Sequence, residues 1–295
     1  DSAAGTTPRL QPHNKHTAKA GERMPSTLSR TNRPPGKPAR RNDNHEKGCI
    51  VSAARPPAGE GTLRSDGTPA SAQPRHRILQ APPATPAALV EALSACATAN
   101  LADGLPQQVQ VALGLVPRHA AAGVLCGPAL TVRVDAGDNL LAQHAIDLAR
   151  PGDVIVIDGA ASAERALVGE TMARWAHARG VAGFVVDGAV RDLDCLRQGP
   201  LPVYSRSISP RGPTRTGGGE VYGEVRVGGA VVRAGDLVVG DLDGVVCLPQ
   251  ALAQAAVEAC LQLMARERET FEAIRRGTLS RTWIAQALGG DAALR

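Results

Sequence analysis

The sequence predicts an α/β protein behind a long disordered tail, and three stretches of the chain carry this prediction. Residues 154–158 (VIVID) and 181–188 (VAGFVVDG) are apolar runs on either side of an amphipathic segment, which is the pattern of two parallel strands joined by a helix. Residues 202–249 contain short β-type segments separated by glycines, and these predict a second sheet or partial barrel. Residues 250–277 predict a terminal helix with one apolar face.

Residues 1–83 are predicted to form a disordered, basic, proline-rich tail. Of the chain's 33 Lys and Arg and 28 Asp and Glu, residues 1–75 hold 13 and 6, so the rest of the chain is close to neutral. The tail has almost no apolar periodicity and cannot bury enough surface to offset the entropy lost on ordering. It has no apolar segment as long as a signal peptide or membrane span, and no aromatic residue before Trp175 to stack on a base. Neither a membrane nor a nucleic-acid partner is therefore expected.

The ordered domain is expected to span residues 84–295 and to begin with a helix. Thr85 is a candidate N-cap for this helix, and Pro86 suits the first helical position. Residues 123–134 then predict a strand interrupted by a Gly-Pro pair, and residues 139–149 predict a helix that the sequence RPGD closes.

The connections around the two apolar strands are also predictable. Residues 162–180 (SAERALVGETMARWAHARG) predict an amphipathic helical region that ends at a C-cap glycine. Asp158 and Asp187 each precede a glycine, and because Asp-Gly is a common turn element both are interpreted as turn residues. Ligand sites usually lie at the carboxyl ends of parallel strands, which directs attention to the residues after 188.

The six cysteines are widely separated, with no CxxC motif and no Cys/His group at zinc spacing. They predict unpaired thiols in a reducing compartment, and we expect a cytoplasmic protein. Cys195 has no histidine nearby in sequence, so packing is its expected role. The chain has no phosphate-binding glycine motif after a strand, no Walker A, no HExxH and no GxSxG, and the glycine-rich TGGGEVYG predicts a hairpin connection.

Two pairs of polar residues fall where the backbone is expected to turn. Gly169-Glu170 opens the helix TMARWAHARG, and Arg191-Asp192 follows the next strand. If the helix runs antiparallel to that strand, the pairs meet at one edge of the sheet. Two carboxylates there can hold a hard divalent cation, directly or through water, beside helix amides that can bind an anion. The pattern alone does not distinguish this site from a carboxylate that complements the helix dipole next to a solvated ion pair.

The string GETMARWAHARGVAGFVVDGAVRD, with PVYSRSISPRGPTRTGGGEVYGEVRVGGAVVRAGDLVVGDLDGVVCLP behind it, resembles the RraA-like family. This family includes aldolases for 4-hydroxy-4-methyl-2-oxoglutarate and 4-carboxy-4-hydroxy-2-oxoadipate, as well as regulators of RNase E activity. The resemblance covers roughly residues 86–278, and the spacing between the two polar pairs is its most specific part. It implies an α/β/β/α sandwich of the swivelling β/β/α type.

The resemblance also implies a role for each residue of the two pairs. Asp192 matches the direct protein ligand of Mg²⁺ or Mn²⁺, and Glu170, where the most familiar aldolases have Asp, matches the residue that holds metal-bound water. Arg191 matches the arginine that binds substrate and stabilises the enolate. The backbone amides that bind the substrate carboxylate match Gly169, Glu170, Thr171 and Met172.

Further implications concern the assembly and the reaction. A glutamate from a neighbouring subunit's terminal helix completes the family's site, and Glu267 or Glu269 could match it in a homotrimer or hexamer. The implied function is a divalent-metal-dependent class II aldolase that releases pyruvate from 2-oxo diacids, with oxaloacetate decarboxylation as a companion activity. A lysine-dependent aldolase mechanism is excluded from the ordered domain, because the last lysine of the chain is Lys47.

Two alternatives stay open at this point. The first is a non-catalytic regulator of RNase E activity, although regulators that resemble this sequence tend to lack the metal-binding aspartate that is present here as Asp192. The second is a lyase of the same fold that acts on another 2-oxo acid or on a sugar acid. Glu170 in place of Asp keeps the second alternative open.

Overall fold

The computed structural model describes residues 75–120 and 123–289, so most of the predicted tail lies outside the described residues. The first strands are β1 (His76–Ile78), β2 (Gln110–Ala112), β3 (Val116–Pro117), β4 (Leu125–Val134), β5 (Val154–Val168) and β6 (Gly183–Val190). The later strands are β7 (Val203–Ile208), β8 (Gly219–Val221), β9 (Val225–Val227), β10 (Ala230–Val232), β11 (Leu237–Gly240) and β12 (Val245–Leu248). The helices are α1 (Ala87–Ser94), α2 (Thr98–Gly104), α3 (Leu140–Leu148), α4 (Glu170–Ala178), α5 (Leu193–Gln198), α6 (Ala253–Arg275) and α7 (Thr282–Ala287). Within the described ranges, no helix is long and apolar enough to cross a membrane.

Strand β4 joins the two halves of the main sheet because it changes partner along its length. Its first residues pair antiparallel with β11, and its last residues pair parallel with β5 on one side and antiparallel with β8 on the other. The main path of the sheet runs β2-β12-β11-β4-β5-β6-β7-β3, while β9 and β10 form a separate two-stranded ribbon. The Gly127-Pro128 pair lies where the partner changes, and β4 continues through it, so the predicted interruption is wrong. A side chain at Gly127 would place its Cβ 2.2 Å from the carbonyl oxygen of Gly152, which explains a glycine at this close approach.

Alternate residues of each strand face different layers, as the two-residue period of a strand requires. One face of the parallel strands packs against α3 and α4 through Leu130, Val132, Ile155, Ile157, Phe184 and Val186. The opposite face packs against β9 to β12 through Ala129, Val154, Val156 and Val185. The outer face of β11 and β12 packs against α1, α2 and α6 through Leu237, Val239, Val246 and Leu248. The predicted α/β/β/α layering is therefore confirmed.

Three element boundaries differ from the predictions. The first helix begins at Ala87 and breaks after Ser94, and the Thr85 hydroxyl donates to the side chain of Gln250 (3.2 Å) rather than capping the helix. The parallel strand that starts at Val154 extends to Val168, so the helical part of the crossover is confined to α4. Residues 162–168 remain extended because they keep pairing with β6 across register shifts.

The predicted tail also ends earlier than residue 84. Strand β1 pairs in parallel with β8, with His76 opposite Gly219 and Ile78 opposite Val221. The Leu79 amide continues this ladder by donating to the Val221 carbonyl (3.0 Å). Backbone pairing with β8 therefore draws the end of the proline-rich segment into the sheet.

The two Asp-Gly pairs have different roles. Asp158 lies inside β5, where it pairs with Asp187, so the predicted strand end is wrong, but its carboxylate accepts the Ala160 amide (3.1 Å) at an irregular point of the strand where Ala160 and Ala161 have positive φ. The turn prediction for Asp187 is wrong, since Asp187 lies inside β6 and is 5% exposed. Its carboxylate accepts two hydrogen bonds from the Arg206 guanidinium and one from the Gly228 amide (2.7 Å). Asp187 thus fastens β6 to β7 and to the ribbon of β9 and β10.

Replacing Asp187 by alanine should lower the free energy of unfolding by about 3 kcal/mol, because it leaves a largely covered arginine and a buried amide without an acceptor. The matched control is Glu164→Ala, whose ion pair with Arg211 is exposed (68% and 58%) and should contribute less than about 1 kcal/mol. Chemical denaturation of both variants measures the difference. Equal losses in the two variants would contradict the anchoring role of Asp187.

Candidate active site

The two polar pairs predicted from the sequence lie together at one edge of the parallel sheet. Strands β5 and β6 end side by side, and the Arg191 amide donates to the Val168 carbonyl (3.0 Å). Helix α4 starts directly after Gly169, and its first amide, that of Glu170, donates to Oδ2 of Asp192 (3.0 Å). The antiparallel return of the helix therefore brings both pairs into contact, as the sequence predicted.

Asp192 has a backbone conformation that L-residues seldom adopt. Its φ is 60° and its ψ 45°, the left-handed region in which Asp and Asn are enriched among non-glycine residues. The amides of Cys195 and Leu196 donate to its carbonyl and begin α5 (both 3.1 Å). Its Oδ2 is bonded to Glu170, whereas Oδ1 has no hydrogen-bond partner within residues 75–120 and 123–289. One carboxylate oxygen is therefore fixed and the other is available to a ligand.

Gly169 makes the approach between the two segments possible. A Cβ at this position would lie 2.6 Å from Oδ2 of Asp192 and 3.1 Å from Cγ of Arg191. The next amides of α4, those of Thr171 and Met172, have no acceptor in the described part of the chain, as expected for the first turn of a helix. These amides and the positive end of the helix dipole favour an anionic group at this place.

Arg191 and Asp192 are neighbours in sequence but form only a long ion pair, with no hydrogen bond between their side chains. The separation of Arg191 Nε from Asp192 Oδ2 is 3.7 Å, and both side chains are about two fifths exposed (43% and 40%). The guanidinium extends to Gly212, where Nη1 would be 3.1 Å from an added Cβ. Arg191 therefore faces the cleft as a second, separate charge.

Glu170 divides its interactions between two directions. Its amide holds Asp192, while its carboxylate accepts from Nε of Arg174 (2.7 Å), one turn further along α4. Hydrogen bonds from the Cys195 thiol and from Arg174 lower the pKa of Glu170 below its ordinary value. The same contact with Glu170 raises the pKa of Cys195, so the thiol stays protonated and is not a thiolate nucleophile. Cys195 thus contacts a site residue, which its predicted packing role did not include.

The cleft has a volume of about 120 Å³, which restricts it to a small ligand. Its lining includes Asn139, Gln143, Gly169, Thr171, Met172, Arg191, Asp192, Pro213 and Arg215. Met172 itself is 8% exposed, and its sulfur accepts from the side-chain amide of Asn139 (3.4 Å). Its backbone is therefore the part that can reach a ligand. Sequence reasoning missed Asn139, Gln143, Pro213 and Arg215, because they come from α3 and from the loop between β7 and β8.

That loop, residues 209–218, is held in place by Asp138. The Asp138 carboxylate is 1% exposed and accepts from the Thr214 hydroxyl (3.2 Å), the Thr216 hydroxyl (2.8 Å) and the Gly217 amide (3.4 Å), besides the Thr216 amide. Burial opposes the charge, but the hydrogen bonds from Thr216, Leu140 and Gly217 outweigh it and lower the pKa of Asp138. An ionised carboxylate in the core thereby fixes the wall of the cleft.

The two glutamates predicted for the site lie elsewhere in this chain. Glu267 and Glu269 are on the exposed second half of α6, in the outer layer that also contains α1 and α2. The Glu267 carboxylate accepts from the side-chain amide of Asn100 on α2 (3.1 Å). Neither glutamate lines the cleft of its own chain.

The donor set at the cleft suits a hard, largely hydrated cation. Among the described residues there is no group of three or more His, Cys, Asp or Glu side chains arranged to hold a metal. Two carboxylates, those of Asp192 and Glu170, do not fit zinc, which takes four close protein ligands in structural sites or three in catalytic ones. Mg²⁺ keeps several waters and binds through one or two carboxylates, which matches one open oxygen of Asp192 with Glu170 nearby.

Comparisons with known proteins give a consistent family signal. A family model described as RraA-like, Aldolase/RraA, matches residues 98–247. A protein of Halalkalibacterium halodurans named "Putative 4-hydroxy-4-methyl-2-oxoglutarate aldolase" is 38% identical over 148 residues, which are 50% of this chain and 70% of that protein. A protein of the same name from Ectopseudomonas mendocina is 33% identical over 155 residues, 52% of this chain and 95% of that protein. Among solved structures, Streptomyces coelicolor RraAS2, described as an unusual member of the RNase ES inhibitor RraA protein family, has a TM-score of 0.55 at 25% identity over 66% of this chain and 100% of that chain.

Gly169→Ala should break the contact between Glu170 and Asp192 without unfolding the protein, since the added methyl group displaces the end of a side chain. Loss of one charge-assisted hydrogen bond should speed amide exchange at the start of α4 by about tenfold. Hydrogen–deuterium exchange with mass spectrometry measures this effect. The control is Gly104→Ala on α2, whose methyl would meet Ala259 (3.0 Å) rather than the site. Unchanged exchange at α4 in Gly169→Ala would contradict the proposed geometry.

Proposed function

Because the chain belongs to the RraA-like family, we propose that it is a divalent-metal-dependent class II aldolase that releases pyruvate from diacids such as 4-hydroxy-4-methyl-2-oxoglutarate. The relatives named as aldolases support a lyase at the level of the family. The observation that carries the proposal is that Arg191 and Asp192 line one cleft and are only loosely paired, with 3.7 Å between Nε and Oδ2. A carboxylate with an open oxygen, a cation that is only loosely paired with it, and helix amides without an acceptor among the described residues suit a chelating anionic substrate.

Asp192 would hold the ion directly through Oδ1, with Mg²⁺ or Mn²⁺ as the proposed metals. The Glu170 carboxylate pairs with Arg174 and lines a neighbouring cleft, so it would have to turn away from Arg174 to contact the water shell of the ion. When bound, such an ion acts as a Lewis acid on the oxygens of the 2-oxo acid and makes water more acidic. The carboxylate of Glu170 is ionised at neutral pH, and the hydrogen bonds from Cys195 and Arg174 that lower its pKa also make it a weaker base. The role proposed for Glu170 is therefore to orient a water molecule by accepting a hydrogen bond from it.

The protein groups account for the charge changes of the cleavage step. The amides of Thr171 and Met172 bind the C1 carboxylate and fix the orientation of the substrate. The water molecule that Glu170 orients takes the proton of the C4 hydroxyl, and the C3–C4 bond breaks as C4 becomes a carbonyl. The electron pair of that bond moves towards the 2-oxo group, where Arg191 offsets the negative charge that develops on oxygen. Protonation at C3 then gives pyruvate.

Oxaloacetate decarboxylation is part of the same proposal. Loss of CO₂ from oxaloacetate leaves the same three-carbon fragment with the same negative charge next to Arg191. No additional protein group is required for this second reaction. The second carbonyl product of the aldol cleavage is simply replaced by CO₂.

We further propose a homotrimer, or a hexamer built from trimers, as the working assembly. The outer half of α6 and the segment after it expose large apolar side chains, among them Phe271 (56%), Ile274 (54%) and Trp283 (64%). Exposed apolar surface of this kind is typical of protein interfaces. A neighbouring copy that covers this surface would bring Glu267 or Glu269 to the cleft of another subunit.

The five cysteines of the described ranges have no disulfide partner there, which supports a cytoplasmic location.

A protein-binding regulator is the second candidate, because the fold is similar to that of RraAS2. This candidate predicts that no lyase activity appears with any divalent metal and that the purified protein recovers an RNase E-type nuclease in a pull-down. It offers no reason for Arg191 and Asp192 to face the cleft as separate charges. The aldolase is therefore the preferred proposal.

Metal removal and replacement of Asp192 test the proposed reaction. EDTA should abolish pyruvate release from 4-hydroxy-4-methyl-2-oxoglutarate, and Mg²⁺ or Mn²⁺ should restore it, in an assay coupled to lactate dehydrogenase. Asp192→Ala should lower kcat/KM at least about 100-fold, because it removes the metal's protein ligand. Asp194→Ala, which removes a carboxylate two residues along on α5, is the control and should stay within about twofold of wild type. Pyruvate release that persists after metal removal would contradict the proposal.

Arg191→Ala should lower kcat by about 10² to 10³, with a smaller change in KM, because the arginine acts on charge that develops during the reaction. Arg191→Lys should recover part of the loss, since it restores the charge but not the planar fork. Arg197→Ala on α5 serves as the control for loss of an arginine. Steady-state kinetics separate kcat from KM. A raised KM at unchanged kcat would mean that Arg191 contributes ground-state binding instead.

A further inference from the structure

We propose that Arg215 binds the second carboxylate of the substrate and makes the cleft selective for 2-oxo diacids over 2-oxo monoacids. The inference rests on the proposed function for the class of substrate. It deepens that function by assigning the distal end of the substrate to a residue outside the two polar pairs.

Arg215 belongs to the same cleft as the proposed catalytic groups. It lines the cleft together with Pro213 of the same loop, residues 209–218, and with groups of α4 and the end of β6. The loop reaches the cleft because the Ala166 amide donates to the Arg211 carbonyl (2.9 Å) and the Asn139 amide donates to the Thr214 carbonyl (3.1 Å). A substrate in the cleft can therefore contact both Arg191 and Arg215.

The other arginines around this loop already have partners. Nη1 of Arg165 donates to the Gly212 carbonyl (2.8 Å), and Arg211 pairs with Glu164 (2.6 Å). Arg215 has no carboxylate within 4.0 Å and no hydrogen-bond acceptor in residues 75–120 or 123–289. It is thus a cation at the cleft that the described fold does not use.

The backbone on both sides of Arg215 is fixed. Asp138 accepts hydrogen bonds from Thr214 and Thr216, the two residues that flank Arg215, and from Gly217 after them. The ionised Asp138 is buried, so these bonds are shielded from competition with water. The arginine therefore projects from a rigid turn, which lowers the entropy that its ordering by a ligand would cost.

The charges of a 2-oxo diacid match the cleft when Arg215 takes the distal group. The amides of Thr171 and Met172 serve the C1 carboxylate, and Arg191 serves the 2-oxo oxygen. These assignments leave the second carboxylate without a counter-charge on α4 or β6. The planar guanidinium of Arg215 can bind it in bidentate fashion, whereas a monoacid would leave the guanidinium without an acceptor.

A matched pair of ligands tests the assignment without requiring turnover. 2-Oxoglutarate and 2-oxopentanoate share a five-carbon 2-oxo acid chain and differ in the terminal carboxylate, and neither has the 4-hydroxyl group needed for cleavage. Isothermal titration of the full chain with each acid, at saturating Mg²⁺, gives two dissociation constants. Wild type should bind 2-oxoglutarate about 10 to 100 times more tightly than 2-oxopentanoate.

Arg215→Ala should remove this preference by weakening 2-oxoglutarate binding alone, with the Kd for 2-oxopentanoate within about twofold of wild type. Arg215→Lys should retain part of the preference, because the charge remains. Arg211→Ala is the matched control, since it removes an arginine from the same loop outside the cleft lining and should keep the full preference.

The inference is overturned if wild type shows no preference or binds neither acid, if Arg215→Ala keeps the preference, or if it weakens both acids equally. The proposed function is judged by pyruvate release, which is a separate measurement. A preference that depends on Arg215 in a protein without lyase activity would support this assignment and refute the aldolase. Lyase activity without such a preference would do the reverse.

Discussion

The hydrogen bond from the Glu170 amide to the Asp192 carboxylate is the interaction on which the rest of the site depends. It can form because β5 and β6 are parallel, so that the end of β6 and the start of α4 reach the same edge of the sheet. The left-handed backbone of Asp192 turns its carboxylate towards the helix, and Gly169 leaves the space for it. One carboxylate oxygen is used for this anchoring and the other stays available. The topology of the sheet therefore decides which atom faces a ligand.

The same anchoring explains why two opposite charges can be adjacent in sequence and still act separately. The ion pair between them is loose and exposed, with 3.7 Å between Nε and Oδ2, so it contributes little to stability. The amide of Glu170 competes for the Asp192 oxygen nearest to Arg191, and the guanidinium extends instead towards Gly212. The fold thereby keeps an anion and a cation a few ångströms apart, which suits a substrate that carries both oxygen ligands for a metal and developing negative charge.

The sequence predicted those features of the site that arise from local pattern and strand direction. The apolar runs located β5 and β6, and helical spacing after Gly169 located α4, so the meeting of the two polar pairs followed from the order of elements. The extension of β5 to Val168 was missed because its last residues have the composition of a helix and are held extended by pairing with β6. Arg215 was missed for a different reason. Its place in the cleft depends on Asp138, a residue 77 positions earlier, and no local periodicity reports such a contact.

Glu170 also shows how a substitution can change the position of a carboxylate without changing the backbone hydrogen bond that holds Asp192. A second cleft of about 490 Å³ lies between α4 and α5, and its lining includes Glu170, Arg174, His177 and Cys195. The Glu170 carboxylate points to Arg174 and Cys195 on this side, while its amide holds Asp192 on the other. An aspartate at position 170 would keep the same amide, but its carboxylate would be one methylene shorter and closer to its own backbone. The backbone of residue 170 therefore maintains the proposed metal ligand whichever acid is present, and the length of its side chain sets where the second carboxylate acts.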